Sequence, residues 1–128
     1  MKKYKVGSKK VNKMKAVMYN YNTWIEYKEE KNLVIELEKM LSKSGFTIIN
    51  KVEHFFPHQG YTGLWLLAES HFAIHTFPEE NKIYVEISSC VKSYFDKFIG
   101  EFEKIYELLM YASLSMYVLY CIPILQSV

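Results

Sequence analysis

Arginine is absent from this chain, and all 16 basic residues are lysines. Arginine's planar fork is favoured for contacts to phosphates and base edges, so its absence weakens any case for nucleic-acid recognition. Cysteine is scarce, and the two present, Cys90 and Cys121, do not make a disulfide framework. Asp96 is the single aspartate and no Gly-x-Ser-x-Gly motif occurs, so a Ser-His-Asp hydrolase fits poorly. We expect no nucleic-acid partner.

A long apolar run is missing at the N-terminus, where the first lysines are not followed by the apolar segment of a signal peptide. Residues 105–125 carry one charge, Glu107, and are long enough to raise the question of a membrane span. The same segment holds two serines, four tyrosines and Pro123, so we interpret it as the end of a helix followed by a strand. A cytoplasmic protein without a membrane partner is expected.

The net charge of +2 is unevenly distributed. Residues 1–15 hold seven lysines and no acid, which leaves nine lysines against 14 acids in residues 16–128, a net of −5. The basic end predicts a flexible arm over residues 1–13, either binding a polyanion or simply solvated. Residues 14–128 are predicted to form a single domain, whose acidic character suits a cationic small-molecule substrate.

Half of the 128 residues are apolar and 16% are aromatic, enough for one domain with a buried core. Apolar residues at helical spacing predict a helix over residues 29–43, ended by Gly45 in the left-handed cap position. A second helix is predicted to begin at Ser93, an N-cap residue with Asp96 three positions on. Alternating patterns predict six strands: residues 15–21, 46–53, 61–68, 72–77, 82–88 and 114–121.

This order of elements predicts an α+β fold, in which residues 54–60 form a loop. We expect a two-layer sandwich: one mainly antiparallel sheet with both helices on one face. The other sheet face is also rich in aromatic residues, so it is predicted to pack on a second protomer.

Two short apolar strands meet at the polar corner Glu69-Ser70-His71, which contains no Gly, Pro, Asn or Asp. Tight hairpin turns normally use those residues, because the turn needs unusual backbone angles. We therefore predict a chemical role for the corner, with Ser70 as the place where the chain cuts itself. Five residues along a hairpin are expected to return His75 toward the corner, where it can transfer a proton for Ser70.

A serine, a histidine and the thiol of Cys90 near one corner could supply a nucleophile, a base and an acid. Each also has an ordinary interpretation: Ser70 as a turn residue, His75 as a strand histidine, and Cys90 as a small buried hydrophobe. No metal site is predicted, because the four histidines lack an acid or thiol at a familiar ligand spacing: His54, His58, His71 and His75.

Four segments carry a family resemblance: His54-Phe55-Phe56-Pro57-His58-Gln59-Gly60-Tyr61-Thr62-Gly63, Ala68-Glu69-Ser70-His71, Ile74-His75-Thr76-Phe77-Pro78-Glu79 and Ser89-Cys90. Over residues 44–105 the chain resembles the bacterial and archaeal S-adenosylmethionine decarboxylases, small pyruvoyl enzymes made by self-cleavage between Glu and Ser. The Glu-Ser-His corner, the histidine five residues later and the spacing to the cysteine make the resemblance specific.

The resemblance implies that the Ser70 hydroxyl attacks the Glu69 carbonyl and converts the amide to an ester. Loss of the Ser70 α-proton then eliminates the ester, and the dehydroalanine hydrolyses to a pyruvoyl group. Cleavage between residues 69 and 70 would give two subunits. His75 and Thr62 match the family's processing positions, although the family usually has serine where Thr62 stands.

The implied cofactor is this self-derived pyruvoyl group, with no metal. It forms a Schiff base with the substrate's α-amine and accepts the electrons released as CO₂ leaves. Cys90 matches the general acid that returns a proton to the α-carbon, and Glu79 matches the carboxylate that binds the ribose hydroxyls. The implied activity is decarboxylation of S-adenosylmethionine for spermidine, a step of polyamine biosynthesis, in a homodimer of cleaved protomers.

The N-terminal third departs from the family pattern, since the stretch over residues 12–19 lacks the usual Gly-x-His motif and acidic residue. Phe77 stands for the usual tryptophan and Val91 for the usual glycine. One alternative therefore keeps the chemistry and changes the substrate to L-ornithine or L-arginine. Another is an uncleaved, non-catalytic homologue that acts as a binding or regulatory partner.

Overall fold

The computed structural model describes residues 15–106, and every structural statement below refers to them. The elements between residues 19 and 89 are β1 Tyr19–Glu26, α1 Glu30–Ser44, β2 Ile48–Phe56, β3 Gly60–Leu67, β4 Ser70–Phe77, the 3-10 turn Pro78–Glu80 and β5 Lys82–Ser89. A second helix, α2, covers residues 92–106, up to the last described residue. The strands form one sheet in the order β1-β5-β4-β3-β2, with every neighbouring pair antiparallel.

The core lies between the sheet and the two helices, which cover the same sheet face. Its buried side chains come from α1, from α2 and from alternate strand positions: Leu33, Leu37, Leu41, Phe98, Phe102, Trp65, Phe72, Ile74, Ile83, Val85 and Ile87. Full burial of a large apolar side chain stabilises a fold by about 1.5–3 kcal/mol. The predicted α+β sandwich, with both helices on one face of an antiparallel sheet, is confirmed.

Helix α1 begins and ends within one residue of its predicted bounds. The Glu29 carboxylate caps its N-terminus by accepting hydrogen bonds from the backbone N–H groups of Lys31 and Asn32. At the other end, Gly45 adopts a φ of 108°, and its N–H donates to the Ser42 carbonyl. Glycine takes this left-handed conformation without steric cost, which explains why the helix ends there.

The first strand lies later in the chain than the predicted residues 15–21. β1 pairs with β5 over its whole length, from Tyr19 opposite Ser89 to Glu26 opposite Lys82. Its aromatic and polar side chains alternate between half-buried and exposed positions, as expected for the edge strand of a sheet with one covered face. The predicted bounds of the first strand were wrong, because the polar residues within β1 are of types that are common in loops.

The predicted loop over residues 54–60 is shorter in the structure, where only residues 57–59 turn. β2 continues through Phe56, because its last three residues pair with the first three of β3. Gly60 then takes a φ of 106°, and a Cβ added there would lie 2.3 Å from the Thr76 carbonyl oxygen. Position 60 therefore requires glycine, both because its φ is positive and because a side chain there would collide with the Thr76 backbone.

The prediction that Ser93 caps the second helix was wrong. α2 begins at residue 92, and the Phe95 N–H donates to the Val91 carbonyl at 3.0 Å, which places Ser93 inside the first turn. The hydroxyl that bonds the backbone just before the helix belongs instead to Ser89, whose Oγ accepts the Val91 N–H at 3.0 Å. A hydroxyl at the end of β5 thus fixes the start of α2.

Two predictions fall outside residues 15–106: the arm over 1–13 and the strand over 114–121. Within the described part of the chain, neither helix combines the length and the apolar character that a bilayer crossing needs.

The sheet face away from the helices, called the open face below, presents large apolar side chains to solvent. They are between 43% and 64% exposed: Trp24, Val52, Phe56, Leu64 and Leu66. Apolar patches of this kind are typical of protein–protein interfaces. The pairing of this face with a second protomer stays a prediction.

Candidate active site

Strands β3 and β4 are joined by the two-residue turn Ala68-Glu69. Leu67 pairs with Ser70 across it, and the Ala68 N–H donates to the Thr47 carbonyl at 2.9 Å. Glu69 has a φ of 62°, in the left-handed region, which costs a residue other than glycine about 1–2 kcal/mol. The corner is therefore a real turn, and its backbone strain lies beside the Glu69–Ser70 bond.

Two donors of Cys90 converge on the Glu69 carbonyl oxygen. The thiol donates to it across 3.0 Å, and the backbone N–H of the same residue donates across 3.4 Å. Donors arranged in this way polarise a carbonyl and stabilise the negative charge that develops on its oxygen during nucleophilic attack. The thiol predicted as a general acid therefore contacts the predicted cleavage site, on an exposed residue.

The Ser70 side chain is buried and faces the helices. Its hydroxyl donates to the Ser89 Oγ at 2.7 Å, and the two serines lie directly opposite each other in the register of β4 and β5. Sequence reasoning missed Ser89 as a site residue. Its position before Cys90 was the available signal, but the contact depends on a strand register that the sequence does not reveal.

Thr62 and His75 are cross-strand partners on β3 and β4, and both are half-buried on the open face. The Thr62 Oγ1 lies 3.0 Å from the His75 Nδ1. The Tyr84 ring lies 6.1 Å from the imidazole, and its hydroxyl donates to Glu86 at 2.9 Å. This hydrogen bond raises the pKa of Tyr84 above its ordinary value. The structure brings the two predicted processing residues together.

His75 does not lie near Ser70 within one chain, contrary to the prediction. The two residues are five positions apart on one continuous strand, and an odd separation puts their side chains on opposite faces. A strand rise of about 3.3 Å per residue also separates them by roughly 16 Å. The chain folds back at Ala68-Glu69, before Ser70, so the hairpin does not return His75 to the corner.

Glu79 lies in the 3-10 turn and is exposed. It follows the end of β4, whereas Ser70 begins that strand, so the structure does not bring Glu79 to the cleavage site of the same chain.

The site residues therefore form two groups. The cleavage group is Glu69, Ser70, Ser89 and Cys90, and the open-face pair is Thr62 and His75. Among residues 15–106, no three or more His, Cys, Asp or Glu side chains are clustered so that they could hold a metal ion.

A family model described as S-adenosylmethionine decarboxylase matches residues 22–108. The chain belongs to the S-adenosylmethionine decarboxylase family. The match includes both groups of site residues, and it confirms the family resemblance found in the sequence.

Two other members of the S-adenosylmethionine decarboxylase family illustrate the similarity. The S-adenosylmethionine decarboxylase proenzyme of Parasynechococcus marenigrum strain WH8102 is 48% identical over 48 residues, which cover 38% of this chain and 38% of the relative. The proenzyme of the same name from Clostridium botulinum strain Loch Maree is 39% identical over 67 residues, which cover 52% of this chain and 58% of the relative. The chain thus matches less than two thirds of each relative's length.

The fold is also that of a solved S-adenosylmethionine decarboxylase family structure. The crystal structure of the adenosylmethionine decarboxylase from Aquifex aeolicus VF5 superposes with a TM-score of 0.54 at 23% sequence identity. The superposition covers 67% of this chain and 80% of that chain. At this level of identity the likeness establishes the shared fold.

Proposed function

We propose that this chain is a proenzyme that cuts itself between Glu69 and Ser70 and then decarboxylates S-adenosylmethionine. The observation that carries the proposal is the double contact of Cys90 with the Glu69 carbonyl oxygen, at 3.0 Å from the thiol and 3.4 Å from the N–H. It activates the carbonyl of one particular peptide bond for attack. Membership of the family and the proenzyme names of the two relatives support the same conclusion.

Self-cleavage begins with the Ser70 hydroxyl. Its Oγ bonds to the Glu69 carbonyl carbon, the carbon–nitrogen bond of the peptide breaks, and the hydroxyl proton is transferred to the Ser70 nitrogen. The product is an ester, and the two Cys90 donors stabilise the oxyanion on the way to it. Loss of the Ser70 α-proton then expels the Oγ as part of a Glu69 carboxylate. One water converts the remaining dehydroalanine to a pyruvoyl group and releases ammonia.

The strained conformation of Glu69 supports cleavage at this bond. The left-handed backbone is imposed by the two-residue turn, which exists only while Glu69 is joined to Ser70. Breaking the bond releases Glu69 from the turn and removes a strain of about 1–2 kcal/mol. The strain therefore favours the cut chain over the intact one.

The cleavage group suits a pyruvoyl group at the start of β4, since Ser70 is buried there and Cys90 is exposed beside it. A pyruvoyl group supplies an electron sink for decarboxylation at the carbon that bears the substrate's amine. Cys90 donates the proton that replaces the carboxylate, because a thiol near neutral pH can act as a general acid. Glu79 accepts hydrogen bonds from the ribose hydroxyls with its two oxygens. The product supplies aminopropyl groups for spermidine.

A second copy of the chain completes the site in this proposal. Within one copy the open-face pair is on the wrong sheet face for Ser70, and Glu79 follows the far end of β4. The open face that carries the pair is also the apolar surface that a second copy would cover. A dimer packed through the open faces can therefore bring Thr62 and His75 of each copy to the exposed Glu69 turn of the other, at the end of the sheet where β4 begins.

Neither alternative to this function is favoured by a specific observation. The two relatives described above carry names that specify S-adenosylmethionine, which argues against L-ornithine or L-arginine as the substrate. A non-catalytic homologue would need only the Cys90 N–H, which lies opposite Glu69 in the β4–β5 register, and not the thiol as a second donor to this carbonyl.

Mass spectrometry of the purified chain tests self-cleavage. We expect two fragments, residues 1–69 and 70–128, the second with a pyruvoyl group at its N-terminus. Ser70→Ala should stay at the full 15.2 kDa. A wild-type chain that also stays intact after long incubation would contradict the proposal and favour the non-catalytic alternative.

Trapping of labelled CO₂ tests the substrate. The cut protein is incubated in parallel with carboxyl-labelled S-adenosylmethionine, L-ornithine and L-arginine. Release from S-adenosylmethionine alone is expected, and release from either amino acid alone would contradict the proposed substrate while leaving the self-cleavage intact.

A further inference from the structure

The last core-facing position of β5 is a hydroxyl where the strand pattern would accept an apolar side chain. Ile83, Val85 and Ile87 face the helices and are buried, and Ser89 follows on the same face with 0% exposure. Burying a hydroxyl is costly unless it is hydrogen-bonded. The Ser89 Oγ is bonded to the Ser70 hydroxyl at 2.7 Å, which is the nucleophile of the proposed self-cleavage.

We propose that Ser89 is a positioning residue for self-cleavage, and that its Oγ holds the Ser70 hydroxyl in the orientation from which it attacks Glu69. This role rests on the proposed function. Ser89 keeps its own proton throughout: the new bond joins the Ser70 Oγ to the Glu69 carbon, and the proton of the Ser70 hydroxyl is transferred to the Ser70 nitrogen.

The geometry around Ser89 makes it a fixed acceptor. Its Oγ also accepts the Val91 N–H at 3.0 Å, and that residue immediately precedes α2. Ser89 lies directly opposite Ser70 in the sheet, so no flexible segment intervenes between them. A free serine side chain samples three staggered rotamers, whereas a hydrogen bond to a fixed partner selects one.

The chemical effect follows from the direction of the hydrogen bond. Ser70 donates and Ser89 accepts, so the bond draws the proton away from the Ser70 Oγ and increases the electron density on the attacking oxygen. Ser89 is followed by Cys90, so one short segment orients the nucleophile with its first residue and polarises the carbonyl with its second.

The test compares the rate at which the two fragments appear by mass spectrometry in four proteins: wild type, Ser89→Ala, Ser89→Thr and Ser88→Ala. Ser88 is the matched control, because its hydroxyl points to the open face and donates to Asn20 instead. We expect Ser89→Ala to cut roughly tenfold more slowly, the effect of losing one hydrogen bond to the reacting oxygen. Ser89→Thr, which keeps the hydroxyl, should restore most of the rate, and Ser88→Ala should cut like the wild type.

Thermal unfolding of each variant in a Ser70→Ala background separates this role from a general loss of structure. If Ser89→Ala does not fold, Ser89→Cys takes its place, since sulfur is a weak acceptor of similar shape and should slow cleavage. Cleavage of a folded Ser89→Ala or Ser89→Cys chain at the wild-type rate, or faster, would overturn the role of Ser89 alone. An uncut wild-type chain would overturn the proposed function, and this role with it.

Discussion

Two groups of Cys90, its backbone N–H and its thiol, contribute to the proposed chemistry: both to self-cleavage, and the thiol also to decarboxylation. Its backbone N–H contacts the Glu69 carbonyl whatever its side chain is, whereas the thiol adds a second donor at 3.0 Å. Self-cleavage can therefore proceed through the N–H alone, at a lower rate. Proton return to the substrate needs the thiol itself, because a backbone amide is not an acid at neutral pH.

Cys90→Ala should separate the two steps. We expect self-cleavage to slow by roughly tenfold, less than the 100- to 1,000-fold lost with a strong oxyanion donor, since S–H is a weak one. Decarboxylation per cut chain should fall by roughly 100-fold or more, the range of a lost general acid. Both rates are measured on one preparation, by mass spectrometry and by trapping of labelled CO₂. Normal turnover by this variant would remove the thiol from the mechanism.

The two groups of site residues differ in how far a sequence can predict them. Ser70 and Cys90 were predicted from the polar corner and the family resemblance, and the Cys90 thiol contacts the peptide unit that joins Glu69 to Ser70. The wrong position of His75 could have been avoided, because five residues along one strand is an odd number and changes the face. The Ser89 contact could not have been predicted, since it depends on which residues of β4 and β5 lie opposite each other.

At the scale of elements, the β2–β3 hairpin is tied to helix α1 through one buried indole. The Trp65 Nε1–H donates to Glu38 at 2.9 Å, and the Lys51 ammonium lies 3.1 Å from the same carboxylate. The indole itself is 1% exposed. This connection holds β3 in place, and β3 carries Thr62 of the open-face pair.

Gly63→Ala tests how tightly the hairpin is packed. A Cβ at this position would lie 2.6 Å from the Trp65 ring and 2.6 Å from the Tyr61 hydroxyl, so we expect a loss of roughly 1–3 kcal/mol in the free energy of unfolding. Gly100→Ala is the matched control: it lies in α2, and a Cβ added there would meet nothing within 4 Å beyond its own helix backbone, so alanine should stabilise the helix by roughly 0.5–1 kcal/mol. Urea unfolding in the Ser70→Ala background measures both, and equal effects would contradict this packing.

Tyr61 makes the stability of the same hairpin sensitive to alkaline pH. Burial, and then the hydrogen bond that its hydroxyl donates to Glu53 at 2.8 Å, raise the pKa of Tyr61 above its ordinary value of 10.0. Folding therefore favours the protonated phenol. Its contribution is complete below the ordinary pKa of the unfolded chain and is lost as the pH rises toward the raised value.

The loss in free energy of unfolding caused by Tyr61→Phe should therefore be smaller at high pH than at neutral pH. Near pH 7 we expect it to be less stable than the parent by about 1 kcal/mol, the net worth of one hydrogen bond. The difference should shrink when urea unfolding is repeated above about pH 10, where the tyrosine of the unfolded parent ionises. A difference that stays constant between the two conditions would contradict the assignment of the shift to Tyr61.

Local patterns predicted most of the elements but not their ends. Helix α1 was predicted within one residue, because its cap residues, Glu29 and Gly45, are adjacent to it in the sequence. The bounds of β1 depend instead on its pairing with β5, more than 60 residues away at Tyr19 and Ser89. The start of α2 likewise depends on the Ser89 side chain rather than on Ser93.

At the scale of the whole molecule, the open face connects the fold to the site. It is apolar and exposed in one copy, and it carries the Thr62–His75 pair, whose atoms are 3.0 Å apart. The cleavage group lies at the start of β4, and in the proposed chemistry it lacks a group that removes the Ser70 α-proton. The proposed dimer would account for both facts, because covering the apolar face would also bring the pair of one copy to the Glu69 turn of the other.

Co-expression of two inactive variants tests whether the site is shared between two copies of the chain. Ser70→Ala has no nucleophile and His75→Ala has no imidazole, so each should stay uncut alone. If the open faces pair as proposed, co-expression gives mixed dimers in which the Glu69-Ser70 corner of the His75→Ala chain meets the Thr62–His75 pair of the other chain. We expect that chain to be cut, and a mass difference between the two chains identifies it.

The control is co-expression of His75→Ala with a Ser70→Ala, His75→Ala double variant, which supplies no imidazole at position 75. Mixed dimers that stay uncut would contradict a site shared between two copies. The Thr62–His75 pair would then have to act on Ser70 of its own chain, which lies roughly 16 Å from His75 along β4 and on the opposite face of the sheet.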